Sequence, residues 1–177
     1  MTTIIAIEYD DRVEMISDSQ INSNGKPYFH SDMTKIIERN KYLIGVAGRV
    51  VALQAILHNW NPPALTATHK GSLYSFVITK LIPSLKSFVD ESKIFTEKEK
   101  EEGDMFSLLI AIKGEVFEID DDYSVGRRSD GLYSIGSGAE YALGALLAHA
   151  DVDTAMQIAE SLDVNTHEPF VRLTQYK

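Results

Sequence analysis

The order of segments in this sequence predicts an α+β fold in which two mainly antiparallel sheets pack face to face and helices cover the outside. Three observations carry that reading. Nearly every pair of strand segments is joined by a tight turn, which favours antiparallel pairing. The segments run strands, two helices, strands, two helices and a last strand. Strands and helices alike carry apolar faces that stacked layers can bury together.

Residues 3–9 form the first strand, and Asp10-Asp11 turns the chain into a second over 12–17. There Val13 and Met15 share one face, and Glu14 and Ile16 the other. Residues 21–29 are rich in Asn, Ser, Gly and Pro and read as loop or irregular strand. A short strand at 34–39 turns at Asn40-Lys41 into a buried strand at 42–47 that Gly48 ends. Residues 49–60 have helical periodicity, with Val50, Leu53, Leu57 and Trp60 near one stripe, and Asn61-Pro62-Pro63 stops them. A second helix spans 72–89, with a kink expected at Pro83. Residues 91–104, mostly Glu and Lys, read as a solvated helix end or mobile linker. The nearly continuous apolar run 105–113 is a central strand, which Gly114 turns into another at 115–120. A short strand at 132–135 precedes an Ala- and Leu-rich helix at 139–150. Asp153 opens the next helix, capped by an Asp or Thr at its start, and residues 170–176 close as an edge strand.

The chain has 177 residues and a net charge of -9, from 17 Lys and Arg against 26 Asp and Glu. That length suits a single domain over residues 1–177 with its own core. The acidic balance argues against a nucleic-acid or anionic-membrane surface. With no cysteine, disulfides, a thiol nucleophile and thiolate metal sites are excluded. The N-terminal apolar run stops at Glu8 with no basic segment before it, and the 73–89 segment is broken by Lys80, Pro83 and Lys86. A cytoplasmic chain without a membrane span is expected. His30, His58, His69, His149 and His167 include no HExxH pair, and Asp120-Asp121-Asp122 lacks a calcium-loop pattern and reads as a solvated turn. No lysine follows Gly136-Ser137-Gly138, so a phosphate loop is excluded there. No metal or cofactor is expected.

The chemistry-bearing candidates begin at the N-terminus. Removal of Met1 ahead of a small residue exposes Thr2, whose free α-amine can serve as base for its own hydroxyl. The strand that follows at once would hold such a terminus in place. The first hairpin returns SDSQ at 17–20 beside Thr2. Asp18 there can orient an amine or pair with a lysine, or be an ordinary polar turn. Lys35, if it points inward, needs a partner, and Asp18 is available; otherwise it is a solvated strand lysine. The turn at Gly48 could present backbone N–H groups to an oxyanion, or simply join strand to helix. The glycine turn holding Ser137 stands at the equivalent place before the third helix.

Taken in order, these pieces resemble the β-type subunits of the proteasome family, and within it the HslV (ClpQ) peptidase type. The matching stretches are TTIIAIEYDDRVEMISDSQ at 2–20, MTKI around Lys35, YLIGVAG at 42–48 and YSIGSGAEYALGALLA at 133–148. The resemblance implies an N-terminal nucleophile (Ntn) hydrolase with a four-layer alpha-beta-beta-alpha sandwich. It implies Thr2 as nucleophile, Asp18 and Lys35 beside it, the Gly48 region as oxyanion hole, and Ser137 and Asp163 orienting the amine. Thr166 stands where many proteasome subunits carry serine. It further implies stacked hexameric or heptameric rings of the chain itself, with apolar residues of the covering helices, Trp60 and Phe88 among them, between subunits. The partners it implies are a polypeptide substrate and an AAA+ unfoldase ATPase. This chain departs from the HslV pattern in reading SDSQ for GDGQ, so a different loop geometry is expected beside Asp18. Two other readings stand beside the peptidase: a non-catalytic ring or scaffold subunit, and an Ntn amidase acting on small amides.

Overall fold

A computed structural model describes residues 2–23, 26–29, 33–65, 71–103 and 105–177. The readings made at Met1, His30 and His69 lie outside the described residues. Strands β1 (Thr3–Glu8) and β2 (Arg12–Ser17) form the expected hairpin. The segment read as loop or irregular strand contains the paired strands β3 (Gln20–Ser23) and β4 (Lys26–Phe29). Next come β5 (Ile36–Arg39), β6 (Tyr42–Gly48) and α1 (Val50–Asn59). Leu73 to Ser92 is helical throughout, as α2 (Leu73–Phe76), a π turn (Val77–Leu81) and α3 (Ile82–Ser92). Short α4 (Glu97–Glu102) precedes β7 (Phe106–Ile112), β8 (Glu115–Asp120), the two-residue β9 (Val125–Gly126) and β10 (Leu132–Gly136). Helices α5 (Ala139–Leu147) and α6 (Val152–Leu162) and strand β11 (Val171–Tyr176) complete the chain.

One sheet has the order β10-β1-β2-β11 and the other β5-β6-β7-β8-β9, and every pairing within them is antiparallel. Strand alternation splits their side chains between layers. Ile4, Ala6, Val13 and Met15 meet Ile36, Leu43, Leu109 and Ala111 between the sheets. Ile5, Ile7 and Ile16 turn the other way, onto Ala142, Ala155 and Met156 of α5 and α6. Tyr42, Ile44 and Val46 face away from the first sheet and pack with Leu53, Trp60, Leu81 and Leu85 of the α1–α3 layer. The result is the four-layer alpha-beta-beta-alpha sandwich that the sequence predicts.

Four local expectations are sharpened or corrected. Pro83 lacks the N–H of an interior helical residue. Just ahead of it the ladder slips by one residue, with Ile82 N–H bonding Val77 O, so the conflict is absorbed in the π turn. The segment read as a helix end or linker holds α4, closed by a capping box in which Thr96 and Glu99 satisfy each other's backbone N–H. The cap of α6 is Asp151, which accepts the Thr154 N–H, and Asp153 lies in its first turn. Trp60 is a core residue, 1% exposed, with Nε1 donating to Ser84 Oγ at 3.2 Å, and so offers no surface for subunit contact. Among the described residues, no helix is long and apolar enough to cross a membrane.

Candidate active site

Strand β1 lies inside its sheet, paired with β10 on one side and β2 on the other, so its first residues are held from both edges. Thr3 lies opposite Gly136 and Ile4 opposite Ser17. These registers bring the segment after β2 and the turn after β10 to the start of β1. The main chain must come very close there. A Cβ on Gly136 would run into the Thr2 carbonyl, and the residue sits at φ +98. Gly136→Ala is therefore expected to cost on the order of 1–3 kcal/mol in urea unfolding, because both strain and overlap oppose it.

Asp18 and Lys35 form a buried pair. Lys35 Nζ donates to Asp18 Oδ1 at 2.7 Å, and the two residues are 1% and 0% exposed. Three backbone groups finish the carboxylate's shell: Thr3 N–H to Oδ1 at 2.9 Å, and Gln20 and His167 N–H to Oδ2 at 3.0 and 3.4 Å. Burial pushes Asp18 above the usual carboxylate range, against the pull of Lys35 and the N–H groups of Thr3 and Gln20. Burial likewise pushes Lys35 below the usual lysine range, against Asp18 and Asp163. The serines that flank Asp18 carry no positive φ, so the backbone here needs no glycine. Ser19 Oγ donates to the Pro169 carbonyl at 2.5 Å, and Ser17 Oγ is buried with no hydrogen-bond partner among the described residues.

A second network meets the start of β1 through the Thr2 nitrogen and the Thr3 hydroxyl. Ser137 Oγ and Thr166 Oγ1 each donate to Asp163 Oδ2 at 2.7 Å. Asn165 bonds Oδ1 through both its backbone N–H and its side chain, at 3.3 and 3.1 Å. Burial raises the Asp163 pKa, but the hydrogen bonds from Thr166, Ser137 and Asn165 outweigh it and hold the carboxyl below its usual range. The Thr2 nitrogen donates to Ser137 Oγ at 3.4 Å, and Gly138 N–H reaches the Thr2 carbonyl at 3.5 Å. Thr3 Oγ1 lies 2.5 Å from Thr166 Oγ1.

The two glycine turns share one cleft of about 830 Å³, with Gly48 and Arg49 on one side and Gly136 and Ser137 on the other. Gly48 holds φ +115, where a Cβ would meet the Met105 carbonyl and Phe106 Cα at 2.7 Å. The Arg49 N–H bonds the Met105 carbonyl at 3.1 Å, and its guanidinium pairs with Glu99 of α4 at 2.7 Å. The acidic turn also lines this cleft through Asp120, Asp121 and Asp122. Burial and the charges of Asp122 and Asp121 push Asp120 upward, whereas hydrogen bonds from Ser124 hold Asp122 down.

All six residues singled out from the sequence thus lie around the start of β1 or on the cleft beside it. Thr2 itself is 2% exposed. Sequence reasoning passed over Thr3 and the backbone donors of Gln20 and His167. One signal was available for Thr3, since a hydroxyl on a fully buried strand face needs a partner.

No family model matches the chain. No curated protein sequence matches it either. Solved structures do. BPH of Thiobacillus denitrificans, in its complex with epoxomicin, superposes with a TM-score of 0.78 at 17% identity, over 98% of each chain. Eukaryotic HslV from Trypanosoma brucei gives 0.69 at 21% identity, over 99% of each. Anbu, the ancestral beta-subunit, from Yersinia bercovieri gives 0.68 at 14% identity, over 98% of this chain and 81% of that one. The chain has the fold of HslV and Anbu.

Proposed function

We propose that this chain, which has the HslV and Anbu fold, is a threonine-type peptidase subunit that cleaves unfolded polypeptide once Met1 has been removed. The observation that carries the reading is the convergence of two networks on the first residues of β1. One is the buried Lys35–Asp18 pair, and the other is the hydroxyl–carboxylate chain that touches the Thr2 nitrogen.

Loss of Met1 turns the Thr2 nitrogen from an amide, which is no base, into an amine with an unperturbed pKa near 8. Thr2 Oγ1 then attacks the scissile carbonyl carbon while the amine takes its proton. The tetrahedral oxyanion forms beside the Gly48 turn, where the Gly48 N–H would meet it, since the Arg49 N–H is held by the Met105 carbonyl. Collapse breaks the C–N bond, and the ammonium returns the proton to the leaving amine. Water, activated by the same amine, hydrolyses the acyl ester and frees Thr2. Lys35, oriented by Asp18, supplies positive charge beside the nucleophile. Asp163, acting through Ser137, holds the amine.

The likeness to HslV and Anbu supports assembly into rings fed by an ATPase. Val51, Tyr74 and Ile78 are exposed apolar side chains on the α1–α3 layer, and they replace Trp60 as the residues to meet a neighbouring subunit. The test is native mass with N-terminal sequencing, followed by treatment with an epoxyketone such as epoxomicin. A ring of chains that begin at Thr2 and carry one adduct each supports the reading. Hydrolysis by chains that keep Met1 would end it. A ring that keeps Met1 and takes no adduct selects the non-catalytic scaffold instead.

The cleft also predicts a preference among substrates. Arg49 is tied to Glu99, so the lining charge is set by Asp120, Asp121 and Asp122. Peptides with Lys or Arg next to the scissile bond should exceed their Glu counterparts in kcat/KM by about two- to fivefold, as partly exposed charge pairs allow. The difference should shrink at 0.5 M salt, on the order of what screening implies.

A further inference from the structure

Thr3 follows the proposed nucleophile and touches both networks that serve it, one through its backbone and the other through its side chain. Its backbone N–H donates to Asp18 Oδ1 at 2.9 Å, and its hydroxyl lies 2.5 Å from Thr166 Oγ1. Thr3 is fully buried, so no water competes for either bond. Gly138 leaves it room, since a Cβ there would strike Thr3 Oγ1.

The proton inventory fixes the direction of the chain. Asp163, held ionised, can only accept. Thr166 has one hydroxyl proton and gives it to Asp163 Oδ2 at 2.7 Å. It therefore has none for Thr3, and Thr3 must be the donor in the Thr3–Thr166 bond. Ser137 likewise gives its proton to Asp163 at 2.7 Å and keeps only lone pairs for the Thr2 nitrogen at 3.4 Å. Every hydroxyl in the run thus has one allowed orientation. A donor at the far end strengthens the next one in such a chain.

We infer that Thr3 is a positioning residue for the terminal amine, acting as a strut between the Lys35–Asp18 pair and the Ser137–Asp163–Thr166 chain. Through its amide it sets where Asp18 holds Lys35. Through its hydroxyl it orients Thr166, and so the Asp163 carboxylate against which Ser137 is aligned. The inference deepens the peptidase reading and rests on it for its kinetic consequence, although the hydrogen-bond order exists without any reaction.

The test uses the assembled, Met1-free protein and the variants Thr3→Val and Thr3→Ser, with two readouts. The first is the rate of epoxyketone acylation across pH. T3V should acylate about three- to tenfold more slowly, the loss expected for one buried hydrogen bond, with its ascending pH limb displaced. T3S should stay within about twofold of the parent. The second readout is the Asp163 carboxyl pKa by NMR, which needs no activity. It should rise by about half a unit in T3V and hold in T3S, since a hydrogen bond to the charged form is weakened. An unreactive parent chain refutes the peptidase reading, while the Asp163 titration still decides the strut. A T3V chain whose Asp163 pKa and pH limb match the parent overturns the inference. So does a T3S chain as impaired as T3V, which would mean that the γ-methyl packing and not the hydroxyl matters.

Discussion

Thr2→Ala should abolish epoxyketone labelling and lower peptide hydrolysis by at least about a thousandfold, the scale seen when a nucleophile is removed from a site whose parts act as a unit. Intact mass and a fluorogenic peptide assay read this directly. The alanine keeps the amine, the strand and both flanking networks, because the Thr2 nitrogen and carbonyl make the contacts to Ser137 and Gly138. Folding and assembly should therefore be unchanged, and the loss is assigned to the hydroxyl. Thr2→Ser retains a hydroxyl at the same place and should still take the adduct. A T2A chain that hydrolyses peptide at the parent rate would require a different nucleophile.

Lys35→Ala should be the most destabilising single change near the site. It leaves the Asp18 carboxylate buried with backbone donors but no cation, and breaking such a pair costs about 3–5 kcal/mol. Guanidinium unfolding measures it. The double variant D18N/K35M should recover part of the loss, because the orphaned charge disappears with its partner. On the proposed mechanism the pair should also set an alkaline limit on acylation. The mechanism needs Lys35 in its charged form, which exists below its pKa. Burial moves that pKa below the ordinary lysine value of 10.5. The rate should thus fall as pH rises, at a pH lower than an exposed lysine would give, and the fall should vanish in K35M along with most of the rate.

The parts legible in the sequence were those encoded by short-range pattern. Alternation in 12–17, with Asp10-Asp11 ahead of it, was enough for the first hairpin and for the opposite faces of Met15 and Ile16. For Lys35 the sequence left two readings, an inward side chain needing an acid or a solvated one, and it is the inward one, paired with Asp18, that the fold adopts. The π turn was not legible, because Pro83 announces a missing donor without saying where the ladder gives way. Strand β9, two residues long, has no period to detect. Trp60 was misplaced because a stripe on one helix cannot tell a layer's interior from a subunit contact. Thr3 and Thr166 are 163 positions apart, and only the assembled sandwich brings their hydroxyls together.

The hairpin geometry has a practical reach. β2 and β11 are antiparallel from Ser17 and Val171 at the site to Arg12 and Tyr176 at the far end, where Lys177 N–H bonds the Asp11 carbonyl at 3.0 Å. Six strand residues separate those ends by roughly 20 Å. On the proposed mechanism, an affinity handle fused ahead of Thr2 would keep its nitrogen an amide, which is no base, and silence every subunit that carried it. The same handle joined after Lys177 would hang from the opposite rim, so purification schemes and fluorescent fusions should be built there.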